Sequence, residues 1–178
     1  MTIHAMIDLE TLDTGVNAVI LTCGAVKFDP YTDEQPYAEL YHRIDVDEQT
    51  ELDRTIDEGT IAWWGTQPEE IWSEALGDDN RTSVDDFIRD LQRWVVGVDV
   101  IWAQGYGFDI TILETLLRQK GHNKPWNFWN LRDSRTLFKL MPEDPRKAMQ
   151  FDAHNALEDC KAQAYCVQQC YKLLGIKG

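Results

Sequence analysis

The sequence predicts an α/β domain in which helices flank a mixed sheet. Residues 1–44 contain three strand-like runs separated by turn residues, and the longest of them, residues 16–28, is rich in β-branched residues. From Ser83 onward, segments with helical 3-4 spacing alternate with short apolar runs, as strands and helices do in an α/β sheet. With 178 residues and 43% apolar side chains, the chain has the length and composition of one globular domain. We therefore expect a single domain over residues 1–178.

Three strands are predicted in the N-terminal part, at residues 6–11, 16–28 and 39–44, and together they suggest an antiparallel meander. Residues 47–79 are acidic and irregular, apart from short helical pieces around Trp63 and after Pro68. Trp63 and Trp64 would point about 100° apart on a helix. Two buried anchors and a base-stacking platform for single-stranded substrate are equally consistent with this pair.

The C-terminal part is predicted from helical spacing and from its capping residues. The elements, in order, are a helix from the N-cap Ser83 to Gly97, a strand at 98–103, a helix closed by Gly121, a short strand leading into a helix capped by Asp133 or Ser134, and a five-turn helix at 157–174 ended by Gly175.

Asp8 and Glu10 are two carboxylates on the same face of the first predicted strand, because side chains alternate along a strand. A buried strand should not carry two unpaired acids, since desolvating even one costs several kcal/mol or forces it to bind a proton. A pair of divalent metal ions would supply the missing positive charge.

The net charge of −14 argues against extensive contacts with a nucleic-acid backbone, which depend mostly on Lys and Arg. A site that accepts only one chain end can concentrate positive charge locally through metal ions and a few basic residues. The short apolar runs predict neither a membrane span nor a signal peptide, so we expect a soluble cytoplasmic protein. The four cysteines lack metal-ligand spacing, which favours buried reduced thiols over disulfides or zinc.

Further candidate residues follow strand ends or begin helices. Asp109 follows Gly105 and Gly107 where the 98–103 strand gives way to a helix, and a simple N-cap role is an alternative for it. His154 and Asp159 stand at the start of the last helix, where a lone histidine is more often structural unless an acidic metal site lies beside it.

Arg132 and Arg135 stand out in so acidic a chain. They could bind phosphate, or they could pair with Asp133 and other acids, and the sequence favours neither interpretation.

Three short patterns resemble the motifs of the DEDDh 3'-5' exonuclease superfamily: Asp8-Leu9-Glu10, Phe108-Asp109, and His154 with Asp159. Together, in this order and at these positions, they are far more specific than any one alone. Residues 61–64 and 125–136 resemble a narrower branch, which holds phage DexA-type exonucleases, prophage proteins labelled exodeoxyribonuclease VIII and a bacterial 3'-5' exoribonuclease. Gln104 departs from the asparagine that many relatives have before the glycine, which bears on substrate contacts rather than on metal ligands.

The resemblance implies an RNase H-like fold with a five-stranded mixed sheet and an enzyme that releases nucleoside 5'-monophosphates from a 3' end. It implies two Mg²⁺ or Mn²⁺ ions held by oxygen ligands. By resemblance, Asp8 bridges both ions, Glu10 and Asp159 hold the ion on the nucleophile side, Asp109 serves the second ion, and His154 is the general base.

Aromatic and apolar side chains near these motifs would stack on or block the last bases and so favour a chain end. The candidate substrate-binding residues are Leu9, Thr11, Leu12, Trp63, Trp64, Tyr106, Phe108, Arg132 and Arg135. The expected partner is single-stranded or 3'-overhang nucleic acid, either DNA or RNA, and no membrane. The resemblance leaves monomer and homodimer open. The alternatives are a nucleic-acid-binding module of the same fold with little activity, and another metal hydrolase acting on small phosphoesters.

Overall fold

The structure of the protein is a computed structural model that describes residues 2–149 and 154–178. Within these residues, five strands form one mixed sheet with helices on both faces, as predicted. The strands are β1 (His4–Thr11), β2 (Ile20–Phe28), β3 (Tyr37–Arg43), β4 (Val100–Ala103) and β5 (Leu131–Asp133). The α-helices are α1 (Val46–Thr50), α2 (Glu58–Trp64), α3 (Glu69–Leu76), α4 (Val84–Trp94), α5 (Tyr106–Gln119), α6 (Ser134–Lys139) and α7 (Ala156–Leu174), and Phe128–Asn130 and Pro145–Ala148 are short 3-10 helices.

The strand order is β3-β2-β1-β4-β5, which places β1 at the centre of the sheet. β1, β2 and β3 are antiparallel neighbours, so the predicted meander is confirmed. β4 pairs in parallel with β1, and β5 pairs in parallel with β4. The carboxyl ends of β1, β4 and β5 therefore lie at one edge of the sheet, where open α/β sheets bind ligands.

The predicted second strand begins at residue 20 instead of residue 16. Residues before it pair elsewhere, because Ala18 forms an isolated bridge with Thr55 and the Val19 N–H donates to the Thr55 carbonyl at 2.9 Å. The pairing of β1 with β2 also shifts register between Glu10 and Thr11. These contacts join distant segments, so the apolar run alone did not reveal them.

The two faces of β1 belong to different cores, as alternation along a strand requires. Ile7 and Leu9 pack on one face, against apolar side chains that include those of α4 and α5. Met6 lies on the opposite face, with apolar residues of α6 and α7. Asp8 and Glu10 follow Met6 in the alternation, so they share the face that α7 covers.

Several predicted helix caps are confirmed, but α4 ends at Trp94 with Val95 as its C-cap, before the predicted end at Gly97. Ser83 accepts a hydrogen bond from the Asp86 N–H, and Asp133 accepts one from the Thr136 N–H, which identifies Asp133 as the cap of α6. Gly175 ends α7 with a φ of 65°, in the left-handed region that favours glycine. All four cysteines are free and buried, as predicted. No helix among the described residues has both the length and the apolar character needed to cross a membrane.

Candidate active site

Four carboxylates from three elements line one cavity at the carboxyl end of β1. Asp8 and Glu10 come from β1, Asp109 from the first turn of α5 and Asp159 from the first turn of α7. The cavity has a volume of about 320 Å³. Its lining consists of Asp8, Leu9, Glu10, Gln104, Phe108, Asp109, Arg135, Arg146, His154, Asp159, Ala162 and Gln163. The structure thus brings together all five residues that the DEDDh resemblance assigned to catalysis.

Asp8, Glu10 and Asp159 form the tightest part of this cluster. One carboxylate oxygen from each lies within 4.8 Å of the others, which is a spacing that a metal ion can bridge. Among the described residues, no Lys or Arg lies within 4.0 Å of any of the four cavity carboxylates. The negative charge at this site is therefore not neutralised by an ion pair with a described side chain.

Burial raises the pKa of each of these carboxyl groups above its ordinary value. For Asp8 and Glu10, repulsion from the neighbouring carboxylates raises the pKa further. Burial raises the pKa of Asp159 to about 6, although the hydrogen bond from the His154 N–H opposes the shift. The charged state that a metal ion requires is thus disfavoured in the protein alone, and bound cations would restore it.

Asp109 connects α5 to the central strand. The helix starts after Gly105, whose φ of 104° is in the left-handed region, and Gly105 rather than Asp109 is its N-cap. The Asp109 side chain instead accepts a hydrogen bond from the Leu9 N–H at 3.1 Å. The alternative that Asp109 is only a helix cap is therefore wrong, since its carboxylate is buried beside β1.

His154 is held from two sides. Its backbone N–H donates to Asp159 Oδ2 at 2.9 Å, and its φ of 72° turns the chain into α7. The imidazole packs edge to face against Trp63, with 4.9 Å between the ring centroids. Partial burial lowers the pKa of His154, which favours the neutral ring that a general base needs. The neighbouring Glu158 forms an ion pair with Lys161 near the surface and does not line the cavity.

A second cavity of about 420 Å³ adjoins the first and shares Leu9, Glu10 and Phe108 with it. Trp63 and Trp64 of α2 also line it, together with polar groups at its rim. The Trp63 side chain is 42% exposed, whereas Trp64 is buried and donates its indole N–H to the Thr11 carbonyl at 3.0 Å. The two tryptophans thus have different roles, one as a cavity wall and one as an anchor between α2 and β1.

The remaining substrate-binding candidates fall into two groups. Thr11 lines the second cavity, and Arg135 lines the first, where its Nη2 donates to the Gln104 carbonyl at 3.1 Å. Leu12, Tyr106 and Arg132 line neither cavity. Leu12 is buried in the core around Trp64. Tyr106 is exposed on α5, and Arg132 donates to the carbonyls of Trp129 and Leu131.

Three polar residues that line the cavity were not among the predicted site residues, although Gln104 was connected with substrate contacts: Gln104, Arg146 and Gln163. Gln163 lies four residues after Asp159, on the same face of α7. Its Nε2 donates to Asp8 Oδ1 at 3.1 Å, and its side chain is buried. The spacing of four from Asp159 was the available signal, because the long helix makes these two positions neighbours.

Comparisons with known proteins identify the family of this chain. Residues 3–171 match the model of the family described as 3'-5' exoribonuclease Rv2179c-like domain. The exodeoxyribonuclease of Enterobacteria phage T4 is 27% identical over 188 residues, covering 87% of this chain and 83% of that protein.

Two solved structures share the fold at low sequence identity. Exonuclease I of E. coli in complex with a dT13 oligonucleotide has a TM-score of 0.67 and 14% identity; the match covers 99% of this chain but only 41% of exonuclease I. The nuclease domain of 3'hExo, a DEDDh family member bound to rAMP, has a TM-score of 0.61 and 12% identity over 96% of this chain and 92% of that domain. The predicted DEDDh resemblance, RNase H-like fold and nuclease class are thus confirmed, and the chain belongs to the family of Rv2179c-like 3'-5' exoribonuclease domains.

Proposed function

We propose that the protein is a metal-dependent 3'-5' exonuclease that hydrolyses DNA or RNA from the 3' end and releases nucleoside 5'-monophosphates. The observation that carries the proposal is the convergence of four carboxylates and one histidine on a single cavity, with Glu10 and Asp109 buried and Asp8 and Asp159 half-buried. These are the residue types and the number of ligands that a two-metal phosphodiesterase needs.

The carboxylates fit two divalent cations of the Mg²⁺ or Mn²⁺ type. Asp8, Glu10 and Asp159 present oxygen atoms within 4.8 Å of one another, and Asp109 lines the same cavity. Their ligand atoms are hard oxygens, which suit Mg²⁺ and Mn²⁺ better than zinc. When bound, such ions lower the pKa of a water molecule and stabilise the negative charge on the leaving 3' oxygen.

His154 would take the proton from the attacking water. The imidazole of His154 lines the cavity. Edge-to-face packing against the Trp63 ring and the hydrogen bond from the His154 backbone N–H to Asp159 hold it there. Because burial lowers its pKa, the ring is neutral near pH 7 and has a free nitrogen to accept the proton.

Selection of a chain end would depend on the second cavity. Leu9 and Phe108 line both cavities, and Trp63 adds a further apolar wall to the second. A terminal nucleoside could stack there while its phosphate lies at the carboxylates, since base stacking is insensitive to sequence. The Arg135 guanidinium lines the first cavity and would meet that phosphate. The partners of the enzyme would be single-stranded or 3'-overhang nucleic acid, DNA or RNA.

The test is a digestion of 5'-labelled and 3'-labelled oligonucleotides, as DNA and RNA, single-stranded and with 3' overhangs, with Mg²⁺ or Mn²⁺. A 3'-5' exonuclease converts the 3' label directly to mononucleotide and shortens the 5'-labelled strand stepwise. We expect Asp8→Asn and His154→Ala to reduce this release by at least about a hundredfold, because each removes a group that acts on the transition state.

Glu158→Gln serves as the matched control, since Glu158 neighbours the site in sequence but pairs with Lys161 outside the cavity. It should retain wild-type activity. Release that persists in chelator, or equal rates in Asp8→Asn and wild type, would contradict the proposal. Binding of oligonucleotides without any release would instead identify a binding module.

A further inference from the structure

Positive charge is concentrated in one part of this acidic chain. Residues 118–147 contain eight of the 17 Lys and Arg residues but only three of the 31 Asp and Glu residues. This segment covers the end of α5, the edge strand β5, α6 and the second 3-10 helix. Lys120, Lys124 and Arg146 pair with Asp85, Glu114 and Asp144, and the other five basic side chains of this segment form no ion pair among the described residues. A nucleic-acid backbone would therefore meet less repulsion from this segment than from the acidic remainder of the chain.

Two large aromatic side chains stand exposed within this segment. Phe128 is 69% exposed and Trp129 is 60% exposed, in the 3-10 helix that precedes β5. Their rings pack edge to face, with 5.0 Å between the centroids. Neither residue belongs to a core cluster among the described residues. An exposed aromatic pair in a segment rich in basic residues has the composition of a stacking platform for nucleic-acid bases.

The edge strand connects this pair to the active-site cavity. Trp129 precedes β5, Arg132 lies within it, and Arg135 follows it in the first turn of α6, at the cavity. Because strands rise about 3.3 Å per residue, the path from Trp129 to the start of α6 is roughly 15 Å long. A strand with the ~3.4 Å rise of one DNA strand would cover it with about four or five nucleotides.

The two arginines on this path are anchored but keep free donors. Arg132 uses only Nη1, towards the carbonyls of Trp129 and Leu131. Arg135 uses only Nη2, towards the carbonyl of Gln104. In the described parts of the chain, neither guanidinium has a carboxylate within 4.0 Å. Pre-positioned guanidinium groups with unused N–H donors match the bidentate binding of phosphate.

We propose that Phe128, Trp129, Arg132 and Arg135 form an edge-strand face that binds the part of a nucleic-acid strand on the 5' side of the scissile nucleotide. The inference rests on the proposed exonuclease function. It adds the path that the bound strand follows outside the cavity, on the 5' side of the scissile nucleotide. The aromatic pair stacks on bases several nucleotides upstream, Arg132 contacts an intervening phosphate, and Arg135 contacts the phosphate at the cavity. Affinity for substrate should consequently increase with its length.

The experiment compares wild type with the double variant Phe128→Ala/Trp129→Ala on 5'-labelled oligonucleotides of two to twelve nucleotides, with Mn²⁺. For wild type, KM should fall with length and level off at about five to seven nucleotides, once the strand reaches the aromatic pair. For the double variant, KM on the longer substrates should be roughly tenfold higher. Its kcat should be unchanged, and it should match wild type on dinucleotides, which do not reach the pair.

Arg132→Gln is the second variant, and it should reduce the dependence of KM on salt concentration for the longer substrates. Leu173→Ala is the control, because Leu173 is also a large exposed apolar residue but lies on α7, outside this segment. It should leave the length dependence unaltered.

The outcomes separate the two proposals. If wild type releases no mononucleotide from any substrate, the exonuclease function fails, and this inference fails with it. If wild type is active but the double variant has the same length dependence, only the edge-strand face is overturned. Light scattering on the same proteins adds a further check: conversion of a dimer to a monomer by the double variant would show that the aromatic pair is a subunit interface instead.

Discussion

Gln163 is a buried amide that ties α7 to the carboxylate cluster. Its Nε2 donates to Asp8 Oδ1, and its Oε1 has no hydrogen-bond partner among the described residues. The hydrogen bond holds one carboxylate oxygen in place while the rest of that group faces the cavity. Replacing a residue that orients a metal ligand in this way typically lowers metal affinity by about 10–100-fold.

We therefore expect Gln163→Leu to weaken Mn²⁺ binding by about tenfold or more, because Asp8 loses the donor that orients it. Calorimetric titration of the protein with Mn²⁺ measures this directly, without substrate. Gln168→Leu is the matched control, since Gln168 is a buried glutamine of the same helix that donates to the carbonyls of Asp29 and Glu34. Similar losses of Mn²⁺ affinity in both variants would rule out a specific role for Gln163.

At the scale of elements, the position of α7 depends on a glycine in β2. Gly24 lies opposite Asp8 in the register of β1 and β2. A Cβ atom at Gly24 would lie 2.3 Å from the carbonyl carbon of Ala156 and 2.5 Å from the Leu157 nitrogen. The first turn of α7 thus rests directly on the sheet, and this close approach brings Asp159 to the strand that carries Asp8 and Glu10.

Gly24→Ala should push the first turn of α7 off the sheet, because the contacts are with backbone atoms that cannot rotate away. Overpacking of this kind costs about 1–3 kcal/mol of the free energy of unfolding. We also expect a lower affinity for Mn²⁺, since Asp159 moves with the helix. Urea unfolding and Mn²⁺ titration measure the two effects.

Gly65→Ala is the control for that experiment. The nearest atom to a Cβ at Gly65 is the Ala62 carbonyl oxygen at 3.4 Å, and the φ of Gly65 is −62°. The change should alter stability by no more than about 0.5 kcal/mol and leave metal affinity unchanged. A Gly24→Ala variant with wild-type stability and affinity would mean that α7 is not fixed by this approach.

At the scale of the whole molecule, the sequence predicted the sheet, its helices and the acidic cluster, because these follow from local periodicity and short motifs. It did not predict contacts between distant segments. The packing of Trp63 against His154 joins residues 91 positions apart, and the bridge of Ala18 with Thr55 displaced the start of β2. The direction of the Arg132 side chain likewise depends on its hydrogen bonds to the carbonyls of Trp129 and Leu131 at the edge of the sheet.

From the net charge of −14 and the cluster of Asp8, Glu10 and Asp159, we expect divalent ions to stabilise the fold. A ligand at 100 times its Kd stabilises a protein by about 2.7 kcal/mol. For a chain of this size, that corresponds to a rise in Tm of roughly 5–10 °C. We expect this rise with Mn²⁺ in wild type but not in Asp8→Asn, measured by thermal unfolding at constant ionic strength.

Without metal, the order of stability should reverse. Burial and the neighbouring acids raise the pKa of Asp8, so near neutral pH this group must either bind a proton on folding or remain charged among acids that repel it. Asp8→Asn removes that cost, and the variant should unfold at a higher temperature than metal-free wild type. NaCl is the control for screening, because it weakens repulsion over the whole surface without coordinating at the cluster. An equal rise in Tm with Mn²⁺ for wild type and Asp8→Asn would mean that the ions act on the acidic surface. The predicted metal site would then be wrong.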